Sequence, residues 1–180
     1  MKKKVLSIVA VVLVLCCAIG GTLAWLTDKT NPVVNTFTVG DINIELKESE
    51  NLNLKMVPGN TIVKDPKVTV KADSEACYLF VKVEKSTNFE NFMTWAIADG
   101  WQLVPGETNV YYREVNATTA DTSFDVLKGN SVAVKDSVTK EALNALNENT
   151  LPTLTFTAYA VQKANIADAK TAWAEASKLL

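Results

Sequence analysis

The sequence predicts an all-β protein, a β-sandwich with short helices in its crossovers and at its C-terminus. Three observations carry this expectation. Short β-branched and aromatic runs recur along most of the chain, turn residues punctuate them, and several runs alternate apolar and polar side chains with a period of two. Eight or nine short strands in one domain need a second layer to bury their apolar faces, and a sandwich supplies it.

Strands are expected over residues 37–39, 42–46, 67–71, 77–84, 101–104, 110–115, 123–127, 131–135 and 153–162. Their separators are Gly40-Asp41, Pro58-Gly59-Asn60, Ala72-Asp73-Ser74, Pro105-Gly106 and Lys128-Gly129-Asn130. In 77–84 the odd positions Cys77, Leu79, Val81 and Val83 form a core face, while Lys82 and Glu84 mark the other. Phe37 and Val39 are odd, but Ile42, Ile44 and Leu46 are even, so the parity shift at Gly40-Asp41 predicts a bulge or sharp bend.

Helices are expected over 137–147, with Val138, Ala142, Leu143 and Leu146 on one face and Asp136 or Ser137 as N-cap, and over the alanine-rich stretch 167–180. Trp173 is expected to anchor the latter on the sandwich. A third stretch, 88–98, holds Phe89, Phe92, Met93 and Trp95, and reads as an aromatic crossover packed at a sheet edge. Pro152 is expected to open the last strand, where its missing N–H does least harm.

The first 28 residues read as an export signal. Lys2, Lys3 and Lys4 precede an uncharged apolar run from Val5 to Ile19, Gly20-Gly21 breaks it, and Thr22 and Ala24 fill the small positions of a signal-peptidase site. Cleavage after Ala24 is expected to leave Trp25 as the mature N-terminus. The organisation is then a signal peptide over 1–24, an arm over 25–40 and a sandwich domain over 41–180. The alternative is a retained anchor, since the uncharged run to Leu26 could span a bilayer of roughly 30 Å at ~1.5 Å per residue. Lipidation at Cys16-Cys17 fits poorly, because Leu15 stands where a small residue is needed.

Composition excludes several functions. The 180-residue chain has a formal charge of −2, which becomes −5 once the three leader lysines are gone; Arg113 is the sole arginine and no basic stripe suits a nucleic acid. Histidine is absent, which removes Ser/His and Cys/His nucleophile pairs, HExxH zinc sites and every imidazole-dependent metal centre. Cys77 is the only cysteine beyond the leader and reads as a buried small hydrophobe. Glu45, Glu48, Glu50, Asp65, Glu84, Glu90, Asp121 and Asp125 form no paired-acid motif and read as solvated surface. No catalytic residue, metal site or cofactor is expected. Leu151-Pro152-Thr153-Leu154-Thr155 departs from a sortase signal at two positions, and Asn116-Ala117-Thr118 reads as a polar loop.

Certain segments resemble a known family. Gly20-Gly21-Thr22-Leu23-Ala24-Trp25-Leu26-Thr27-Asp28, with Asn35-Thr36-Phe37-Thr38-Val39-Gly40, is similar to the SipW-dependent export signal and first strand of the TasA/camelysin family. Pro58-Gly59-Asn60 leading into Lys64-Asp65-Pro66-Lys67-Val68-Thr69-Val70, and Ala76-Cys77-Tyr78-Leu79-Phe80-Val81-Lys82-Val83, resemble its body. Ala158-Tyr159-Ala160-Val161-Gln162 with Ala172-Trp173 resembles its closing strand and helix.

The resemblance implies a jelly-roll-like β-sandwich, secreted as a structural protein of the extracellular biofilm matrix of Gram-positive bacteria. Its partners would be copies of itself, the signal peptidase during export, and other matrix proteins. Fibres would grow head-to-tail as the freed arm of one subunit completes the sheet of the next. Val33, Val34, Phe37 and Val39 give that arm apolar side chains that it cannot bury alone, and a donor that leaves its own domain propagates instead of closing. Two alternatives stay open: a camelysin-like cell-surface metalloprotease, and a membrane-tethered binding module.

Overall fold

Strand β4 (Cys77–Lys85) is the centre of the molecule. The computed structural model describes residues 40–50 and 54–179, which belong to the compact unit Val39–Leu180; the unit Met1–Thr38 lies outside the described residues. Along one side β4 pairs antiparallel with β10 (Leu154–Gln162), and along the other with β7 (Val110–Val115), which in turn pairs with β6 (Gln102–Leu103). The resulting four-stranded sheet has the order β10-β4-β7-β6.

The alternation predicted for this strand sets its packing. Cys77, Leu79, Val81 and Val83 are at most 1% exposed and meet Val68 and Val70 of β3 (Lys67–Val70), both at 0%. Strand β3 lies between β1 (Ile44–Lys47) and β8 (Thr122–Asp125) in a three-stranded sheet, and Ile42, Ile44 and Leu46 pack on the same core as expected. Each fully buried valine or leucine adds roughly 1.5–3 kcal/mol of transfer free energy, so this interlayer core is the main stabilising contact.

The other face of β4 is also buried, which corrects the one-sided reading of the alternation. Tyr78 and Phe80 are 4% and 0% exposed because helix α3 (Ala169–Ala176) lies over them with Ala169, Ala172, Trp173 and Ala176. The Trp173 ring sits 5.4 Å from Phe80 and 5.5 Å from Tyr159, and its Nε1 donates to Glu107 Oε1 at 3.0 Å, so it does anchor this helix. The helix starts where Asp168 Oδ1 accepts from the Thr171 N–H at 2.7 Å.

A third sheet, absent from the expectations, joins β2 (Thr61–Val63), β9 (Ser131–Val134) and β5 (Met93–Thr94) in the order β2-β9-β5. Strands of two or three residues carry too little alternation to read. The ladder of β2 and β9 continues toward that of β3 and β8 through Lys64 N–H to Asn130 C=O and Val126 N–H to Pro66 C=O, both at 2.9 Å. Between the two ladders 64–66 faces 126–130, and the longer side folds into a 3₁₀ turn, Lys128–Asn130, with φ of 63° at Gly129 and 50° at Asn130.

The expected helix over 88–98 shortens to α1 (Phe89–Phe92), after which the chain extends into β5. Phe89 and Met93 turn into the third core, while Trp95 packs edge-on against Tyr111 at 6.0 Å, so an aromatic crossover it remains. The helix expected over 137–147 is only α2 (Lys140–Asn144). Its N-cap is Thr139, whose Oγ1 accepts from the Ala142 N–H at 3.2 Å, not Asp136 or Ser137. Val138 and Leu143 reach the third core but Ala142 is exposed. The strand expected over 101–104 is reduced to its two middle residues, with Trp101 and Val104 buried on either side.

Candidate functional site

The expected cleavage residues Thr22, Ala24 and Trp25, and the arm residues Val33, Val34, Phe37 and Val39, lie outside the described residues. The chain that follows them is pinned at the domain's rim. Asp41 Oδ1 accepts from the Ile42 N–H at 2.8 Å, the Glu75 N–H donates to Asp41 C=O at 3.0 Å, and the Asn43 N–H donates to Ser74 Oγ at 3.1 Å. A Cβ on Gly40 would stand 2.9 Å from Glu75 Cγ, a contact that the exposed Glu75 side chain can relieve by turning away.

Beside that rim runs β10. Among the described residues it pairs only with β4, so one row of its backbone N–H and C=O groups faces away from the sheet. The burial of its side chains matches that position. Leu79 and Val81 of β4 are 0% exposed, whereas their register partners Ala160 and Ala158 on β10 are only half-buried, as are Phe156 and Leu154.

Cavities lie at both ends of this edge. One of about 570 Å³ lies at its C-terminal end, between Gly40, Ile42, Ala76 and Gln162. Another, of about 310 Å³, separates Leu46 and Pro66 from Thr155 and Phe156. A third, of about 480 Å³ and mainly apolar, lies between Met56, Ile62, Phe89 and the β10 start, and the exposed Leu54 and Leu151 line it as well.

Natural edge strands are guarded by brevity, charge, proline or bulges, since an open ladder templates pairing with another chain. Strand β6 has two residues and is soon followed by Pro105-Gly106; β2 has three; β1 carries Glu45 and Lys47, tied to each other and to Lys71 at 2.6 and 2.9 Å. Strand β10 has nine residues, Leu-Thr-Phe-Thr-Ala-Tyr-Ala-Val-Gln, with no charge, proline or glycine. It is the long unguarded edge among the described strands. The sequence marked it as a strand but held no sign of its lateral position.

The acids considered as metal ligands are dispersed. Glu45 and Asp121 share Lys71, Glu48 pairs with Lys64 at 3.0 Å, Glu84 with Lys82 at 3.0 Å, Asp125 with Lys67 at 3.2 Å, and Glu90 with Lys85. Hydrogen bonds from Lys47 and Lys71 hold the Glu45 carboxyl below its ordinary range, the Ala72 N–H and Lys71 do so for Asp121, and the Ser49 hydroxyl and N–H do so for Asp65. Cys77 is buried, which pushes its thiol up to about 11.

Fold and edge define a class: a β-sandwich protein whose described strands include one long lateral strand. The sequence model of the camelysin metallo-endopeptidase family matches residues 1–90, half of the chain, and the chain belongs to that family. No curated protein and no solved structure matches it.

The family label implies a metal, and the donors present do not fit one. Among the described residues no three Asp, Glu or Cys side chains converge, and the acids weighed above mostly face lysines. The remaining residues add only Asp28, Cys16 and Cys17, and the chain has no histidine. Borderline-soft zinc wants imidazole or thiolate, and carboxylates held by ammonium groups are poor substitutes.

Proposed function

We propose that the protein is a secreted structural subunit of an extracellular matrix, assembling head-to-tail by strand donation. Signal peptidase cleaves after Ala24, and the freed arm from Trp25 to Val39 leaves its own domain. It pairs with the open β10 edge of the next subunit, and Val33, Val34, Phe37 and Val39 enter the cavities along that edge. Ladder hydrogen bonds supply affinity, and the cavities supply register. Because donor and acceptor are different surfaces, the contact is heterologous and propagates into fibres. The unguarded length of β10 is the observation that carries this reading.

Thr155→Lys tests it. Thr155 is exposed and faces Glu84 in the β10–β4 register, so the new lysine gains an opposite charge across the strand and the fold is kept within about 0.5 kcal/mol. The lysine also guards the edge, so electron microscopy of the processed variant should show few or no fibres. Fibres equal to wild type, or unchanged polymerisation after deletion of residues 25–39, would refute strand donation. The peptidase reading suggested by the family label predicts casein turnover that a chelator abolishes; the donor set argues against it.

A further inference from the structure

Arg113 occupies an unusual place for the chain's sole arginine. It stands on β7 opposite Leu79, between Tyr111 and Val115, which pack on the interlayer core, so its stem runs along the rim of that core. Its guanidinium carbon lies 3.8 Å from the centre of the Phe124 ring and 5.4 Å from that of Trp101. It also rests on Gly100, where a Cβ would stand 3.1 Å from Nη2; the φ of +88° there favours glycine too. Rings and a bare backbone therefore wall in a planar cation.

Among the described residues this cation has no anion paired with it. The ion pairs among the described residues all use lysine: in the surroundings of Arg113, Lys128 lies 3.3 Å from Asp99, and Lys67 lies 3.2 Å from Asp125, whose Oδ1 is buried without a hydrogen-bond partner. Arg113 Nε is buried without an acceptor, and no guanidinium N–H donates to a described residue. Burial lowers the pKa of the group below the ordinary arginine value, as expected of a charge that has lost water and gained no counter-ion. A guanidinium offers five donors in a rigid fork, and leaving them unused in a half-buried place is costly unless something else fills them.

The space for it is present. Arg113 opens into a cavity of about 330 Å³ that Phe124, Ser123, Lys128, Asp99 and Asp125 also line. We propose that this cavity is a carboxylate-binding site, in which the Nη1 and Nη2 groups of Arg113 grip both oxygens of the ligand. The planar fork matches a planar carboxylate. Charge selects the same ligand. The two cations of the lining balance its two acids, so a monoanion is repelled less by Asp99 and Asp125 than a phosphate dianion is. The site is on the β7 side of the sandwich and does not depend on strand donation at β10.

The carboxylate could belong to a small organic acid or to an acidic side chain of a polypeptide, and the experiment separates the two. A single arginine gives a single side-chain Nε–Hε resonance in the ¹⁵N-labelled intact chain, so the reporter needs no assignment. Sodium acetate added at constant ionic strength should move it saturably, with half-saturation in the roughly millimolar range of one solvent-accessible bidentate pair. Sodium chloride should not, and phosphate should act more weakly. A blocked peptide with one Asp, compared with its Asn counterpart, shows whether polypeptide carboxylates reach the site; acetate binding with or without it supports the proposal. Arg113→Lys keeps the charge but loses the fork, and should weaken acetate binding at least tenfold, read from the Gly100 and Phe124 amides while the β4 amides show the fold intact. Equal unsaturated drift in acetate and chloride, stronger binding of phosphate, or undiminished affinity in Arg113→Lys would each overturn the proposal.

Discussion

Trp173→Ala should be among the costliest single substitutions in the domain. Trp173 is 6% exposed, touches rings on the central strand β4 and the edge strand β10, and ties α3 to the loop at Glu107. Truncating a buried tryptophan to alanine costs about 3–5 kcal/mol, since the transfer term is joined by the cavity left behind. The upper half of that range is expected here. Two aromatic contacts, with Phe80 and Tyr159, add about 0.5–1.5 kcal/mol each beyond area burial. Trp173→Phe keeps most of the apolar area and loses the indole hydrogen bond, so its cost should be nearer 1–2 kcal/mol. In a domain of this size a loss of about 4 kcal/mol lowers Tm by roughly 10 °C. Urea unfolding followed by far-UV circular dichroism measures both variants without relying on tryptophan fluorescence. Because Tyr159 belongs to β10, the alanine variant should also loosen the edge strand and, under the strand donation proposed above, reduce fibre yield. A cost under about 1 kcal/mol, or equal costs for Phe and Ala, would refute the view that α3 is held by this ring and backs the edge.

Other outcomes follow from the same contacts. Cys77 is fully buried, and its thiol titrates near 11, so maleimide should label it only after unfolding. Since the native pKa is raised, the contribution of that thiol to stability is whole below the unfolded-state value and is lost as pH rises between about 9 and 11. At the acid end Glu45, Asp65, Glu90, Asp121 and Asp168 all have depressed native pKa values; their stabilisation is whole at neutral pH and drains as pH falls below the ordinary carboxylate range, about 4. Acid titration in high salt should flatten that slope, because the ion pairs are exposed. Ser74 is 2% exposed and receives the Asn43 N–H, so Ser74→Ala should cost about 1–2 kcal/mol in urea unfolding by orphaning that donor where the chain joins β1.

Much of the scaffold was legible in the sequence because its determinants are local. The 77–84 alternation picked out the residues that face β3, 110–115 is a strand from end to end, and Trp173 was visible as the anchor of an alanine-rich helix. The failures have physical causes as well. Strands β2 and β5 are too short for a period to show, and the 88–98 stretch satisfied helical spacing until Met93 was drawn into the third core. Thr139 outcompeted Asp136 and Ser137 as a cap because Val138 had to remain outside the helix to be buried.

By itself the sequence determined which residues prefer extended backbone, where turns interrupt them, and that the chain carries no histidine. These are properties of neighbouring residues and of composition. Only the tertiary structure decided that Tyr78 and Phe80 lie under a helix and that, among the described residues, Arg113 is enclosed by rings without a counter-ion and β10 lies at the margin of its sheet. Being an edge, or lacking a partner, depends on what folds alongside, and residues distant in the chain settle that through pairing and packing.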